Sequence, residues 1–274
     1  MGDTINMGAY IPWGKLVEIA YAMYKQNPTA PQTPTDFPED WERVANLTMT
    51  PSLESIRERE FAGFIAQSKS NPQLQTVVIR GTESKLDWLM DVEFLLETFR
   101  EVPGSGKTER GFTNLYRTMM VEYADASIPT QSLIAQLDTV PAGTRLVVTG
   151  HSLGSSLATL HAFLAGSKKI DVELITFASP RVGDSNFVEA FRELNIPNTR
   201  IFNHPDIVPR VPMEVAGFRH LEPGIEINSA LYPIKHSIPC YHAMSTYMYV
   251  MGDTQADISA CRSGQAALAS ASQG

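Results

Sequence analysis

The sequence predicts an α/β fold with a mixed, largely parallel central sheet flanked by helices on both faces. Three observations carry this. From Leu146 onward, short β-branched runs alternate with helical segments in a strand–helix–strand rhythm. Upstream, two extended runs, Phe61–Ala66 and Gln75–Arg80, flank the polar stretch Lys69–Gln73 and read as a hairpin. Finally, the pentapeptide Gly150-His151-Ser152-Leu153-Gly154 stands where a strand hands over to a helix. A chain of 274 residues is long enough for one large domain, and residues 1–274 are read as one.

The elements follow in order. Leu16, Ile19, Ala20 and Met23 recur at helical spacing, so Trp13–Lys25 predicts an N-terminal helix. Asn27–Pro38 holds four prolines and reads as an irregular connection to the hairpin. Met119–Leu137 is expected to be a helix, broken near Pro129. Thr144–Thr149 predicts the strand entering the pentapeptide, and Ser155–Ala165 the helix leaving it. Val172–Phe177 predicts the next strand, Ser185–Leu194 a helix, and Thr199–Asn203 a further strand. The tail from Ser263 carries little core-forming material and is expected to fray.

Composition narrows the function classes. Apolar residues make up 43% and charged residues 19%, an ordinary globular balance. A net charge of −8 without any dense Lys/Arg stripe argues against a nucleic-acid partner. No apolar run approaches the ~20 residues that span a bilayer, so no transmembrane segment is expected. Met1–Asn6 shows no basic region ahead of an apolar core; the expectation is a cytoplasmic protein or a mature secreted form. The two cysteines, Cys240 and Cys261, fit a disulfide in an oxidising compartment and two free thiols equally well. They form no Cys-x-x-Cys motif, and neither a metal nor a cofactor is expected. No Gly-x-Gly-x-x-Gly follows a strand, which speaks against dinucleotide binding.

The pentapeptide is where chemistry concentrates. Glycines on either side of Ser152 permit a sharp strand-to-helix turn that lifts its hydroxyl above the sheet edge. A serine hydroxyl is a weak nucleophile at neutral pH, so it needs a base, itself oriented by a third group. The expected chain order after a nucleophile elbow is acid, then histidine. Asp206 follows a predicted strand and lies in a proline-stiffened loop; Asp184, just before a helix, is the rival, although an N-cap role explains it well. For the base, His242 stands at a loop-to-helix junction and His236 six residues earlier. His161, His204 and His220 read as structural or exposed. The tetrahedral oxyanion needs preorganised donors, which the amide of Leu153 and the Gly81-Thr82 turn after a strand would supply.

Six blocks together resemble the class 3 lipase family of fungal-type triacylglycerol lipases and plant-type acyl hydrolases. They are Ile79–Thr82, Asp87–Asp91, Gly111-Phe112, Gly150–Gly154, Phe177–Gly183 and Asn203–Pro212. The resemblance runs from about Phe61 to Tyr247 and implies an α/β-hydrolase fold. It further implies Ser152 as nucleophile, Asp206 as acid, His242 as base, and Thr82 with Leu153 as the oxyanion donors. Two departures concern the subfamily: Glu109 stands where the family often has histidine, and Ser155 where many fungal members have glycine.

The same resemblance implies a helical lid over the site, here about residues 84–102. Trp88, Leu89, Val92, Phe94 and Leu95 would be its apolar acyl-binding face, and Pro103–Lys107 its flexible return. The implied activity is hydrolysis of acylglycerol esters at a lipid–water interface through an acyl-enzyme. Phospholipase A1 or galactolipid acyl hydrolase is the alternative, and a catalytically dead hydrolase-like binding protein a remote one.

Overall fold

The computed structural model describes residues 6–50, 59–82 and 93–264. Thirteen strands appear among them: β1 (Trp41–Met49), β2 (Glu60–Ser68), β3 (Leu74–Ile79), β4 (Leu96–Thr98), β5 (Lys107–Glu109), β6 (Met120–Tyr123), β7 (Gln131–Ser132), β8 (Arg145–His151), β9 (Asp171–Phe177), β10 (Gly183–Asp184), β11 (Asn198–Asn203), β12 (Phe218–Arg219) and β13 (Gly224–Ile227). Nine of them form one sheet in the order β13-β11-β9-β8-β3-β2-β1-β6-β7. The run from β13 to β3 is parallel, and β2, β1, β6 and β7 add antiparallel strands on one side. The predicted mixed sheet with a parallel centre is therefore present, and the predicted hairpin is β2–β3.

Alternation along the strands divides the core in two. Val77 and Ile79 of β3 pack on one face with the helix that follows Ser152 and with Phe99, Phe112 and Tyr116. Val78 points the opposite way and packs with Phe64, Val147 and the two helices α1 (Ile11–Gln26) and α7 (Met244–Met251). The N-terminal and C-terminal helices thus share one face. Gly14 lets them close up: a Cβ there would lie 2.8 Å from the Met244 methyl carbon.

Three expectations are corrected. Met119–Leu137 is not a helix broken near Pro129. The amphipathic helix is α2 (Arg110–Thr118), and the chain then extends as β6 and β7 before one turn, α3 (Leu133–Gln136), and a 3-10 turn. The physical reason is an edge: β1 offers its free side to β6, and Ala45, Asn46, Leu47 and Thr48 pair with it. The lid helix to residue 102 is not what the described part shows. Residues 96–98 are β4, and Phe99 is fully buried between Phe163 and Phe187, with ring centroids 6.0 and 6.3 Å away. Pro103–Lys107 is no loose hinge either; it turns the β4–β5 hairpin, with Ser105 buried and the Phe99 amide donating to the Gly106 carbonyl at 3.2 Å. Trp88, Leu89 and Val92 lie outside the described residues, whereas Phe94 and Leu95 are half-buried. Phe94 packs against the core.

The start of the tail is also tied down. The Ser263 amide donates to the Pro233 carbonyl at 2.9 Å, and Cys240 and Cys261 form a disulfide. No helix among the described residues is long and apolar enough to cross a membrane.

Both departures from the family pattern find a local role. Glu109 caps α2, its carboxylate accepting the Phe112 amide at 2.7 Å, and burial raises its pKa despite that bond. The Ser155 hydroxyl lies 2.8 and 2.7 Å from the carbonyl oxygens of Gly150 and Phe177 and shares its one proton between them, bridging the ends of β8 and β9 beneath the turn.

Candidate active site

Ser152 occupies the turn between β8 and the helix α4 (Leu153–Ser167). Its φ of 57° and ψ of −129° are strained for a residue with a Cβ. Close contacts enforce the turn. A Cβ on Gly150 would lie 2.5 Å from the Gly154 carbonyl oxygen and 2.9 Å from that of Ile79, so only glycine lets the strand end, helix start and β3 meet. The Ser152 amide donates to the Phe177 carbonyl of the neighbouring strand at 3.0 Å. Leu153, the first residue of α4, has an amide with no intrahelical partner, which suits it to receive negative charge.

The structure brings Asp206 and His242 to this serine, and not Asp184 or His236. His242 Nε2 lies 2.8 Å from Ser152 Oγ, and His242 Nδ1 lies 2.8 Å from Asp206 Oδ2. All three are buried. A carboxylate only accepts, so His242 carries its proton on Nδ1 and leaves Nε2 to accept from the serine hydroxyl. Asp184 instead caps the helix α5 (Ser185–Glu193), accepting the Phe187 amide at 2.9 Å. His236 is exposed and edges the Tyr241 ring. His161, His220 and His204 stand apart from the serine. His161 is fully buried beside Tyr116 Oη at 3.0 Å, and burial pushes its pKa down to about 3. His220 bonds the Pro209 carbonyl at 2.6 Å, with its pKa also pushed to about 3, by burial and then by the Arg200 charge. His204 sits 3.3 Å from Glu226 at the surface.

Two residues that sequence reasoning passed over hold Asp206 and the His242 loop. Tyr247, fully buried on α7, donates to Asp206 Oδ2 at 2.8 Å and accepts the Asn203 amide at 2.9 Å. Burial and then the Asp206 charge push its phenol pKa well above the usual value, which keeps it a proton donor. The Asn203 amide group donates to Ser229 Oγ at 2.8 Å and to the Tyr241 carbonyl at 2.7 Å, and its oxygen accepts the Ser229 amide at 2.8 Å. The Val208 amide donates to Asp206 Oδ1 at 3.0 Å. The signal for Tyr247 was weak: Ser245, Thr246 and Tyr249 on the same helix also carry hydroxyls, and only its place five residues after His242 sets it apart. Asn203 at the end of a strand had no such mark.

On the other side of Ser152 lies the Gly81-Thr82 turn. A Cβ on Gly81 would come within 3.0 Å of Ser152 Cβ, so the two segments touch. Arg80 is buried, donating to the Phe61 carbonyl at 2.7 Å and to the Gly81 carbonyl at 2.6 Å. The Thr82 hydroxyl is buried and meets no hydrogen-bond partner among the described residues. Chemically the assembly is a hydroxyl aligned with a base, an acid fixing that base, and two nearby donors, the Leu153 amide and the Thr82 hydroxyl, without acceptors among the described residues. No cluster able to hold a metal ion occurs among the described residues.

The chain is 29% identical over 235 residues to "Phospholipase A1-II 3" of Oryza sativa, covering 72% of this chain and 54% of that protein. It is 32% identical over 149 residues to "Lipase" of Rhizomucor miehei, covering 53% of this chain and 39% of that one. The chain thus spans about half the length, or less, of these curated relatives. Among solved structures, the Rhizomucor miehei lipase propeptide complex superposes with a TM-score of 0.61 at 24% identity over 82% of this chain and 69% of that chain. The mono- and diacylglycerol lipase from Aspergillus oryzae gives 0.61 at 23% identity, over 82% of this chain and 80% of its own. These neighbours share the α/β-hydrolase fold with it. The family model for lipase (class 3) matches residues 76–216, just over half of the sequence, and the chain belongs to that family.

Proposed function

We propose that this chain is a serine carboxylic ester hydrolase acting on acylglycerol esters. The single observation that carries the reading is the buried chain of 2.8 Å contacts from Asp206 through His242 to Ser152, at a strained strand-to-helix turn. Such backbone strain costs stability and persists only where its surroundings enforce it, which is where active sites concentrate.

In the first half-reaction Ser152 Oγ attacks the ester carbonyl carbon while His242 Nε2 takes the hydroxyl proton. The carbonyl oxygen becomes negative beside the Leu153 amide and the Thr82 hydroxyl. As the tetrahedral species collapses, the C–O bond to the alcohol breaks and His242 hands its proton to the departing oxygen. Water then attacks the acyl-serine, His242 takes one water proton and returns it to Ser152 Oγ, and the carboxylic acid leaves. Asp206 accepts from Nδ1 throughout and holds the imidazolium in place.

A lipid surface is the proposed setting. Exposed Met213 and Val215 lie on the segment after Asp206, exposed Leu231 lies ahead of His242, and exposed Ile238 opens the short helix α6 (Ile238–His242).

Phospholipase A1 activity is the second reading, favoured by the 72% of this chain that aligns with the rice protein of that name. A hydrolysis panel of triolein, short p-nitrophenyl esters and phosphatidylcholine tests both, with Ser152→Ala as blank and a fluorophosphonate probe reporting Ser152. Release of fatty acid from triolein that vanishes in the blank is the expected result. Preference for phosphatidylcholine would move the assignment to the second reading. An unlabelled, inactive protein would overturn both.

A further inference from the structure

The N-terminal helix reaches the reaction centre through Tyr21, and its hydroxyl joins two segments that the ester-hydrolase reading treats separately. The Gly81 amide donates to Tyr21 Oη at 2.9 Å. Tyr21 Oη also lies 2.8 Å from His151 Nδ1, and His151 Nε2 lies 2.9 Å from the carbonyl oxygen of His242.

The directions of these bonds follow from chemistry. A carbonyl only accepts, so the His151 proton sits on Nε2 and points at His242. His151 is fully buried, and burial followed by the nearby His242 charge lowers its pKa well below the usual value. The ring is therefore neutral, with Nδ1 an acceptor and Tyr21 the donor to it. That leaves a Tyr21 lone pair to take the Gly81 N–H. One ordered chain of donors thus runs from the oxyanion turn through Tyr21 and His151 to the backbone of the base. The His151 and His242 rings also lie against each other, with centroids 4.7 Å apart and planes tilted by 36°. A neutral His151 ring tolerates an imidazolium beside it, whereas a protonated one would repel it.

We propose that Tyr21 and His151 are positioning residues that lock the oxyanion turn and the catalytic base to one another, so that proton acceptor and oxyanion donors hold a common register. Gly81 is gripped at both ends for this purpose: Tyr21 takes its N–H, and the buried Arg80 guanidinium holds its carbonyl at 2.6 Å. The proposal rests on the ester-hydrolase reading. Loss of all activity in Ser152→Ala establishes that reading independently.

The test is Tyr21→Phe, which keeps the ring and removes only the hydroxyl, assayed on a short soluble p-nitrophenyl ester. The active-serine concentration is counted by fluorophosphonate titration. We expect kcat per titrated serine to fall about 10-fold, with KM within about twofold, because a donor array loses preorganisation while substrate contacts stay. Thr82→Ala should cost about 100-fold, and Tyr21→Phe added to it should cost less than about threefold more, since both act through one turn. His151→Gln, which keeps an N–H directed at the His242 carbonyl, should retain more activity than His151→Ala. Unchanged kcat per titrated serine with only a lower melting temperature would overturn the proposal, as would fully multiplicative losses in the double variant. If Tyr21→Phe yields no folded protein, the two His151 variants carry the same decision through their kcat ratio.

Discussion

The two sides of Ser152 are built on opposite principles. On the base side nearly every polar group is spoken for: Asp206 accepts from His242, Tyr247 and Val208, and the Asn203 side chain makes three bonds of its own. On the oxyanion side the backbone of Gly81 is held firmly, yet the Thr82 hydroxyl meets no partner among the described residues. Buried polar groups that face one another in the resting protein must be satisfied there, as those around Asp206 are. A charge that exists only during reaction is best met by donors already fixed and still unspent. The comparison predicts that substitutions on the base side cost both activity and stability, and that on the oxyanion side they cost activity alone.

The largest effect should come from Asp206→Asn. The amide no longer enforces the Nδ1–H form of His242, and kcat on a p-nitrophenyl ester should drop by roughly 10⁴-fold, about 5 kcal/mol of barrier. A loss under tenfold would break the assignment of this side. Next comes Thr82→Ala, with an expected ~100-fold loss of kcat and a melting temperature unchanged within a degree or so, because no bond to a described residue is removed. A clear destabilisation there would mean the hydroxyl has a structural partner and would blur the contrast. Tyr247→Phe sharpens it from the other side. It withdraws a bond to a buried carboxylate and strands the Asn203 amide, at a cost of about 2 kcal/mol in denaturant unfolding.

The smallest effect sets the background against which the others are read at acid pH. His161 has a folded pKa of about 3, below its ordinary value of about 6.5. The unfolded chain therefore binds a proton that the folded chain refuses between those limits. The stability due to His161 is complete above about pH 6.5 and falls as pH drops, by about 2 kcal/mol at pH 5. In His161→Gln the acid limb of the melting-temperature curve should flatten. An unaltered slope would mean that His161 does not stay neutral in the fold.

Local chemistry was legible in the sequence; remote pairing was not. Gly150–Gly154 announced its turn because both flanks carry their own signals, and β2–β3 is a hairpin closed within the chain. β6 was misread as helix because its strand character comes from β1, more than seventy residues earlier. The same holds for the small sheet, whose order β12-β10-β5-β4 joins strands of two or three residues from distant segments. Such strands are too short to show a period. Phe99 misled for a related reason: apolar residues at 94, 95, 96 and 99 suit an amphipathic flap, yet a buried aromatic between Phe163 and Phe187 fits that composition equally well. The prolines around Asp206 and the junction before His242 did mark the segments that structure brings to Ser152.

The shared face of α1 and α7 has a consequence in time. Ser152 and Asp206 leave the ribosome well before the segment bearing His242 and Tyr247, and Tyr247 belongs to the cluster that buries α1. During synthesis the early helix must therefore wait, partly uncovered, for a partner more than two hundred residues downstream. Under the proposed assignment the nascent protein would hold the nucleophile and the acid before the base, and hydrolytic competence would await the docking of α7 beside α1.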